Sequence, residues 1–148
     1  MRDPRHLEVT EHSLRVAELT YQLTKGFPPD ERFGLVAHMR RAAVSVGSSI
    51  AEGCGRSTDR AFVTFLESAL SSLLELDYQA QLAARLGHGD ARLLTELRGA
   101  NDHLKRMLAS LAAAIRRKRI SAPAKPREVA MPGDEGALAP AELREGAA

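Results

Sequence analysis

The sequence contains no tryptophan, six other aromatic residues and a single cysteine among its 148 residues. A core with so little aromatic bulk must be built from Leu, Ala and Val, which favours closely packed helices. One cysteine, Cys54, excludes an intramolecular disulfide framework and fits a reducing compartment. There is no apolar run of 18 residues and no apolar stretch typical of a signal peptide near the N-terminus, so we expect a cytoplasmic protein without membrane contact.

Motifs for catalysis and for metal binding are also missing. The chain has no Gly-rich phosphate loop and no GxSxG, HExxH or CxxC motif. It also lacks the Glu-x-x-His pairs that carboxylate-bridged metal sites in helical bundles use. A lone Cys54 beside glycines is more typical of a small packed residue than of a nucleophile. We therefore expect no enzymatic activity, no cofactor and no metal site. The histidines are scattered along the chain: His6, His12, His38, His88 and His103.

Apolar periodicity predicts four helices, over about residues 9–25, 29–53, 58–86 and 91–119. Pro28 and Pro29 mark the turn before the second helix, with Asp30 and Glu31 in its first turn. Ser57, Thr58 and Asp59 are N-cap candidates for the third helix, as Asp90 is for the fourth. The first helix is expected to bury Thr10, Leu14, Ala17, Tyr21 and Thr24. The third is expected to bury Phe62, Leu66, Ala69, Leu73, Leu76, Ala80 and Ala83. The fourth is expected to bury the row Leu97, Ala100, Leu104, Met107 and Leu111, flanked by Leu94, Leu108 and Ile115.

Four long helices with short connections predict an all-α fold, an antiparallel up-down-up-down four-helix bundle over residues 9–119. Residues 1–8 are expected to form a flexible arm. Residues 120–148 hold four of the seven prolines and no aromatic residue. Such a segment buries too little to offset chain entropy, so we expect a disordered tail.

The second predicted helix has an apolar seam and a polar stripe on different sides. Its part from Ala42 to Cys54 consists mostly of Ala, Ser and Gly, which lets another helix come close. The polar stripe carries Arg41, Ser45, Ser48 and Glu52, while the seam comprises Leu35, Met39, Ala42, Ala43, Val46 and Ile50. The stripe of small residues suggests self-association.

Three motifs in order carry a family resemblance: FPPDER at 27–32, RRAAVSVGSSIAEGCGR at 40–56 and FVTFLESALSSLLEL at 62–76. With them, residues 7–118 resemble the bacterial four-helix-bundle proteins, also called 23S ribosomal RNA intervening-sequence proteins. The accessory variability protein of diversity-generating retroelements is a more distant relative. The resemblance implies a bundle that assembles as a ring-like pentamer, and the distant relative implies assistance to a reverse transcriptase.

Several residues match the family motifs, and two depart from them. Arg41 and Glu52 match the family's arginine and glutamate, whereas Gly47 and Ser49 stand where the family usually has proline and asparagine. Glu52 and Arg56 are four residues apart, in the order that favours a helical ion pair. We expect a salt-bridge network between helices or subunits in preference to a ligand site. The predicted motif and interface set is Arg41, Ser45, Ser48, Glu52, Arg56, Ser72 and Glu75.

Positive charge is concentrated in the fourth predicted helix. The net charge of the chain is +2, yet residues 92–119 carry eight Lys and Arg against two Asp and Glu. Four successive cations at the end of a helix exceed what the helix dipole requires, and contact with phosphate is the natural use of such a cluster. Without interleaved aromatic residues, base stacking is not indicated. The predicted nucleic-acid contacts are Lys105, Arg106, Arg116, Arg117, Lys118 and Arg119.

Two functions remain open at this point. The first is a non-catalytic homo-oligomeric bundle that binds RNA or DNA, or a nucleoprotein partner such as a reverse transcriptase, through basic surfaces. The second is a structural protein–protein adaptor that binds no nucleic acid. Binding of RNA or DNA at low salt would favour the first, and its absence would favour the second.

Overall fold

The computed structural model describes residues 2–3 and 7–123 of the chain. It contains four α-helices: α1 (Glu8–Thr24), α2 (Leu35–Cys54), α3 (Asp59–Arg85) and α4 (Ala91–Ser121), with one 3-10 turn, Pro29–Glu31, between the first two. No strand occurs among these described residues. The all-α fold predicted from periodicity is confirmed. The predicted disordered tail lies, from residue 124 onward, outside the described residues.

The helices pack as an antiparallel bundle in which α1 and α3 each contact both α2 and α4. Ser45 lies against Ser72 and Ser49 against Ser68, so α2 and α3 run in opposite directions. In the same way, His12 lies against His103 and Arg15 pairs with Glu96, so α1 and α4 also run in opposite directions. The core is made almost entirely of aliphatic side chains, with Phe62 as its largest fully buried residue.

Side-chain hydrogen bonds mark the first residues of α3 and α4. The Thr58 hydroxyl accepts the N–H of Ala61 at 3.2 Å, and the Asp90 carboxylate accepts the N–H of Leu93 at 3.0 Å. These contacts satisfy donors that the first helical turn leaves free. Thr58 and Asp90 are therefore the N-caps of α3 and α4, as their residue types predict.

The predicted start of the second helix at residue 29 is wrong. Pro29 opens only a 3-10 turn, and Gly34 has a non-helical conformation (φ −100°, ψ −115°) before α2 begins at Leu35. The Glu31 carboxylate accepts the Leu35 N–H at 2.9 Å. A Cβ on Gly34 would lie 2.8 Å from that carboxylate, so a side chain at residue 34 would displace the Glu31 carboxylate from this position. Glu31 therefore caps α2 from outside it.

The predicted buried face of the first helix is also largely wrong. Leu14 and Tyr21 are exposed, and of the five predicted residues only Thr24 is fully buried. Two polar residues on the true core face explain the error. Ser13 and Thr20 are buried because their hydroxyls donate to the backbone carbonyls of Thr10 and Val16. The buried face comprises Val9, Ser13, Val16, Leu19, Thr20, Leu23 and Thr24.

The predicted core faces of the other three helices are close to those observed. All seven predicted residues of α3 are buried, as are all six of the α2 seam. In α4 the buried set also includes Asn101, whose side-chain amide donates to the Leu73 carbonyl at 3.0 Å. The predicted α4 residues outside the fully buried set pack against the edge of this core: Leu94, Ala100, Met107, Leu111 and Ile115.

The described part of the predicted N-terminal arm contacts the bundle. The backbone N–H of Arg2 donates to the carbonyl of Cys54 at 3.0 Å. Its guanidinium lies 4.3 Å from the centre of the Phe62 ring and pairs with Asp59. Residues 1 and 4–6 lie outside the described part, and the flexibility of the arm stays a prediction.

Candidate functional site

One end of the bundle brings together cations from several parts of the chain. There α2 ends, α3 begins and the last turns of α4 pack beside Asp59 and Glu67. A cleft of about 300 Å³ separates α3 from α4, with Arg60, Arg116 and Arg119 among its walls. We name this set the basic end: Arg2, Arg56, Arg60, Arg116, Arg117, Lys118 and Arg119.

Three cations of the basic end are engaged within the chain. Arg2 pairs with Asp59, Arg116 pairs with Glu67, and the guanidinium of Arg56 lies 4.6 Å from the centre of the Phe65 ring. Phe65 is covered by Arg56, and Phe62 is buried. Neither ring is therefore open for stacking on a base.

Four cations of the basic end remain available to an external anion. Within the described part of the chain, none of them has an ion-pair partner, and all are exposed: Arg60, Arg117, Lys118 and Arg119. Successive side chains on a helix point about 100° apart, so the three α4 cations fan out around its end. They can contact phosphates on a broad surface but cannot all reach one strand.

Lys105 lies apart from this end, although the sequence grouped it with the α4 cluster. Its ammonium is 2.9 Å from the Asp102 carboxylate and 3.9 Å from that of Asp77. The hydrogen bond from Lys105 lowers the pKa of the Asp102 carboxyl. Lys105 and Arg116 are eleven residues apart, or about 16 Å along the helix. Lys105 thus links α4 to α3 through its ion pair with Asp77. Arg106, in contrast, is exposed and has no ion-pair partner in the described part.

The predicted polar stripe of α2 is divided between the helix interface and the surface. The Ser45 and Ser72 hydroxyls lie 3.0 Å apart, so both residues contribute polar contacts between α2 and α3. Ser48 and Glu52 are exposed. Among the described residues, neither Arg41 nor Glu52 has an ion-pair partner. These two charges therefore lie free on the surface of the single chain.

The expected Glu52–Arg56 ion pair is not formed in the structure. Helical spacing brings side chains four residues apart together only when both residues lie in the same helix. Because α2 ends at Cys54, Arg56 lies beyond it and its side chain turns onto Phe65.

Comparison with protein-family models gives a match over residues 5–110, most of the chain, to the 23S rRNA-intervening sequence protein family. The chain belongs to this family. The four-helix arrangement seen here agrees with the resemblance carried by the sequence motifs.

Among solved structures, the fold of this intervening-sequence protein is similar to that of a protein of unknown function from the S23 ribosomal protein family of Bacteroides thetaiotaomicron. The two chains are 20% identical, with a TM-score of 0.61, over 70% of this chain and 97% of the other. At that identity the likeness shows the fold alone. Comparison with curated proteins gave no match.

The two departures from the family motif lie where α2 packs on its neighbours. A Cβ on Gly47 would lie 3.1 Å from the Ser13 hydroxyl, so the missing side chain lets α1 approach α2 closely. Helix α2 continues through Gly47 without a break. Ser49 is buried, and its hydroxyl lies 3.5 Å from that of Ser68. In this member of the intervening-sequence family, small residues at both positions serve close helix packing.

Two apolar surfaces of this intervening-sequence protein are exposed, and the small-residue stripe of the sequence pointed only to the α2 side of the first. The first, named the α1–α2 groove, has a volume of about 360 Å³ and is lined by Thr10, Ser13, Leu14, Ala17, Ala43, Val44, Gly47, Ser48 and Ala51. The second, named the α3 ridge, consists of Leu74, Tyr78 and Leu82 on the outside of α3. The ridge could have been predicted from the sequence, because its three apolar residues are spaced by four and lie outside the heptad that fills the core.

Other reactive groups are either buried or dispersed. Cys54 is a buried free thiol, and burial raises its pKa, which disfavours the nucleophilic thiolate. In the described part of the chain, no three His, Cys, Asp or Glu side chains come together in a way that could hold a metal ion. None of the described helices combines the length and the apolarity needed to cross a bilayer.

Proposed function

We propose that this intervening-sequence protein is a self-associating helical scaffold that binds nucleic acid through its basic end and catalyses no reaction. The observation that carries the proposal is the set of four exposed cations without ion-pair partners in the described part, Arg60, Arg117, Lys118 and Arg119. Exposed cations at the end of a rigid helix suit contact with a phosphate backbone, because binding releases condensed counterions.

Recognition at this end is expected to be independent of base sequence. Contacts to phosphate position a protein, whereas sequence is read from base edges or stacked bases. The rings of Phe62 and Phe65 are covered, and the free groups are positive charges. The family's name refers to 23S rRNA, so structured RNA is the first probe and duplex DNA the second. Assistance to a reverse transcriptase remains a prediction from the resemblance.

Self-association is the second part of the proposal. The exposed α1–α2 groove and α3 ridge support it, because contiguous apolar surface on a soluble domain commonly marks an interface. The pentamer stays an expectation based on the resemblance. Light scattering during size-exclusion chromatography should give several chains per particle at tens of micromolar protein, and a monomer would contradict this part.

Charge removal with a matched control tests the nucleic-acid part. The variant Arg117→Gln, Lys118→Gln, Arg119→Gln removes three cations from the basic end, and Gln keeps helix propensity close to that of Arg. The control Lys25→Gln, Arg32→Gln, Arg92→Gln removes the same charge from the opposite end. Fluorescence anisotropy with labelled RNA at about 50 mM salt should show at least a roughly tenfold weaker affinity for the first variant only. Equal affinities for the two variants would contradict the assignment.

A protein–protein adaptor is the alternative function, favoured by the exposed α3 ridge. Under that alternative the wild-type chain binds neither RNA nor DNA at low salt, while its assembly or its binding of a protein partner depends on Leu74 and Tyr78. The anisotropy measurement therefore separates the two functions even when no protein partner has been identified.

A further inference from the structure

The cleft between α3 and α4 at the basic end, named the α3–α4 cleft, is lined by charges of both signs. Two carboxylates and three guanidinium groups lie in its walls: Asp59, Glu67, Arg60, Arg116 and Arg119. Its volume of about 300 Å³ is larger than that of a phosphate group. The cleft therefore holds the donors that a phosphate site needs, together with two acids that would repel an anion.

The two carboxylates differ in how firmly their arginine partners are held. Arg2, the partner of Asp59, is also anchored by its backbone N–H and by the buried ring under its guanidinium. Arg116 has the Glu67 carboxylate as its one hydrogen-bond and ion-pair partner among the described residues. Both side chains of that pair are 51% exposed. The pair of Arg116 and Glu67 is therefore the one that an external anion can open.

A nucleic-acid backbone offers Arg116 a better partner than Glu67 does. A solvent-exposed ion pair contributes little to stability, because water screens its charges and two long side chains lose their freedom. A phosphate can accept two parallel N–H bonds from one guanidinium, and its neutralisation releases condensed counterions, which pairing with a single carboxylate does not. We therefore expect Arg116 to leave Glu67 for a phosphate at low salt.

The neighbours of Arg116 favour this exchange. Arg119 lies one turn further along the same face of α4, and both residues line the cleft. Arg60 contributes a third guanidinium from the α3 wall. Arg60 and Arg119 are exposed and have no ion-pair partner in the described part of the chain, so they can attract a phosphate before the pair opens.

We propose that the α3–α4 cleft is a phosphate subsite for nucleic acid, closed by Glu67 in the free protein and opened when Arg116 exchanges the Glu67 carboxylate for a backbone phosphate. The inference rests on the proposed binding of nucleic acid and adds a residue that limits it. Glu67 lowers the affinity in two ways. Its carboxylate occupies Arg116 before binding, and after the exchange its unpaired charge lies beside the phosphate.

Removal of one carboxylate charge tests the closing role. Glu67→Gln keeps the size of the side chain and nearly its helix propensity. Fluorescence anisotropy with labelled structured RNA at about 50 mM salt should show an affinity at least roughly threefold above that of the wild type, because the competing ion pair is gone.

Glu96→Gln is the matched control for this measurement. It removes another exposed carboxylate that pairs with arginines, near the other end of α4. Since salt screens distant charges, it should change the affinity by less than roughly twofold. An affinity of Glu67→Gln no higher than that of Glu96→Gln would overturn the closing role.

A charge-neutral double variant tests the exchange itself. Glu67→Gln combined with Arg116→Gln has the net charge of the wild type but lacks the pair. If Arg116 contacts a phosphate in the wild-type complex, the plot of log affinity against log salt should be flatter in the double variant by roughly 0.9 per engaged chain. Equal slopes would mean that the pair stays closed on RNA, and they would overturn the proposal.

Failure of the proposed function gives a different result. In that case neither the wild type nor Glu67→Gln binds RNA at low salt, and both inferences fail together. RNA binding with equal slopes in the wild type and the double variant leaves binding at the basic end in place and excludes only the exchange at the cleft.

Discussion

Gly53 shows how a single missing side chain positions two helices. A Cβ at Gly53 would lie 2.8 Å from the Cβ of Phe65 and 2.9 Å from the Phe62 ring. Both contacts are too short for real atoms, and Phe62 is fully buried. The end of α2 can therefore pack on α3 only because residue 53 has no side chain. This close packing also fixes where the α2–α3 connection, and with it Arg56 and Arg60, lies.

A pair of glycine substitutions tests that argument. Gly53→Ala should destabilise the chain by about 1–3 kcal/mol, the usual cost of overpacking. Gly99→Ala is the matched control, because Gly99 is an exposed position of α4 with nothing within 4 Å of an added Cβ. It should stabilise the chain by about 0.5–1 kcal/mol through helix propensity. Denaturant unfolding of both variants measures the difference. Equal effects of the two would contradict the packing account.

At the scale of the helix, the sequence predicts which segments are helical better than which side is buried. The core positions of α3, such as Phe62 and Leu66, are almost all apolar, so the sequence predicts the buried face of this helix correctly. In α1 the core face includes Ser13 and Thr20, whose hydroxyls are satisfied by backbone carbonyls of the same helix. A search for apolar residues at helical spacing omits these two polar positions and selects Leu14 and Tyr21 instead. These lie on the surface, where Leu14 lines the α1–α2 groove.

The start of α2 offers a test of the capping argument. Glu31→Ala removes the carboxylate that accepts the Leu35 N–H and lies 3.7 Å from His88, and we expect a loss of about 1 kcal/mol. Asp30→Ala is the control, because Asp30 is the exposed acidic neighbour. Removing it should change stability by less than about 0.5 kcal/mol. Thermal unfolding of both variants at neutral pH is sufficient. A larger loss in Asp30→Ala would mean that general helix-dipole charge, and not the cap, is responsible.

For the molecule as a whole, periodicity and connection length are sufficient to predict four antiparallel helices, but not the site. Arg116 to Arg119 form a conspicuous run in the sequence, yet only the fold shows that Arg116 is engaged by Glu67 and that Lys105 belongs to a separate link between α3 and α4. Arg60 joins the basic end because the start of α3 packs beside the end of α4. Such pairings join residues far apart in the chain, so no local pattern reveals them.

The proposed assembly would give the basic end a property that one chain lacks. If several copies lie side by side with the same orientation, their basic ends lie at one face and present a wider positive surface than any single helix terminus. The two parts of the proposal are therefore linked. Loss of assembly should weaken binding of long RNA more than binding of a short oligonucleotide, because only the long one can contact several ends.

The salt dependence of RNA affinity tests the central claim most directly. Four free cations, of which the three on α4 fan out, should neutralise at least two to three phosphates. At about −0.9 per phosphate, log affinity plotted against log salt should then have a slope of about −2 to −3 or steeper. Affinity should fall roughly 15-fold to 60-fold between 50 and 200 mM salt, and similarly for unrelated sequences. Affinity that does not change with salt, or no binding at 50 mM, would contradict the account.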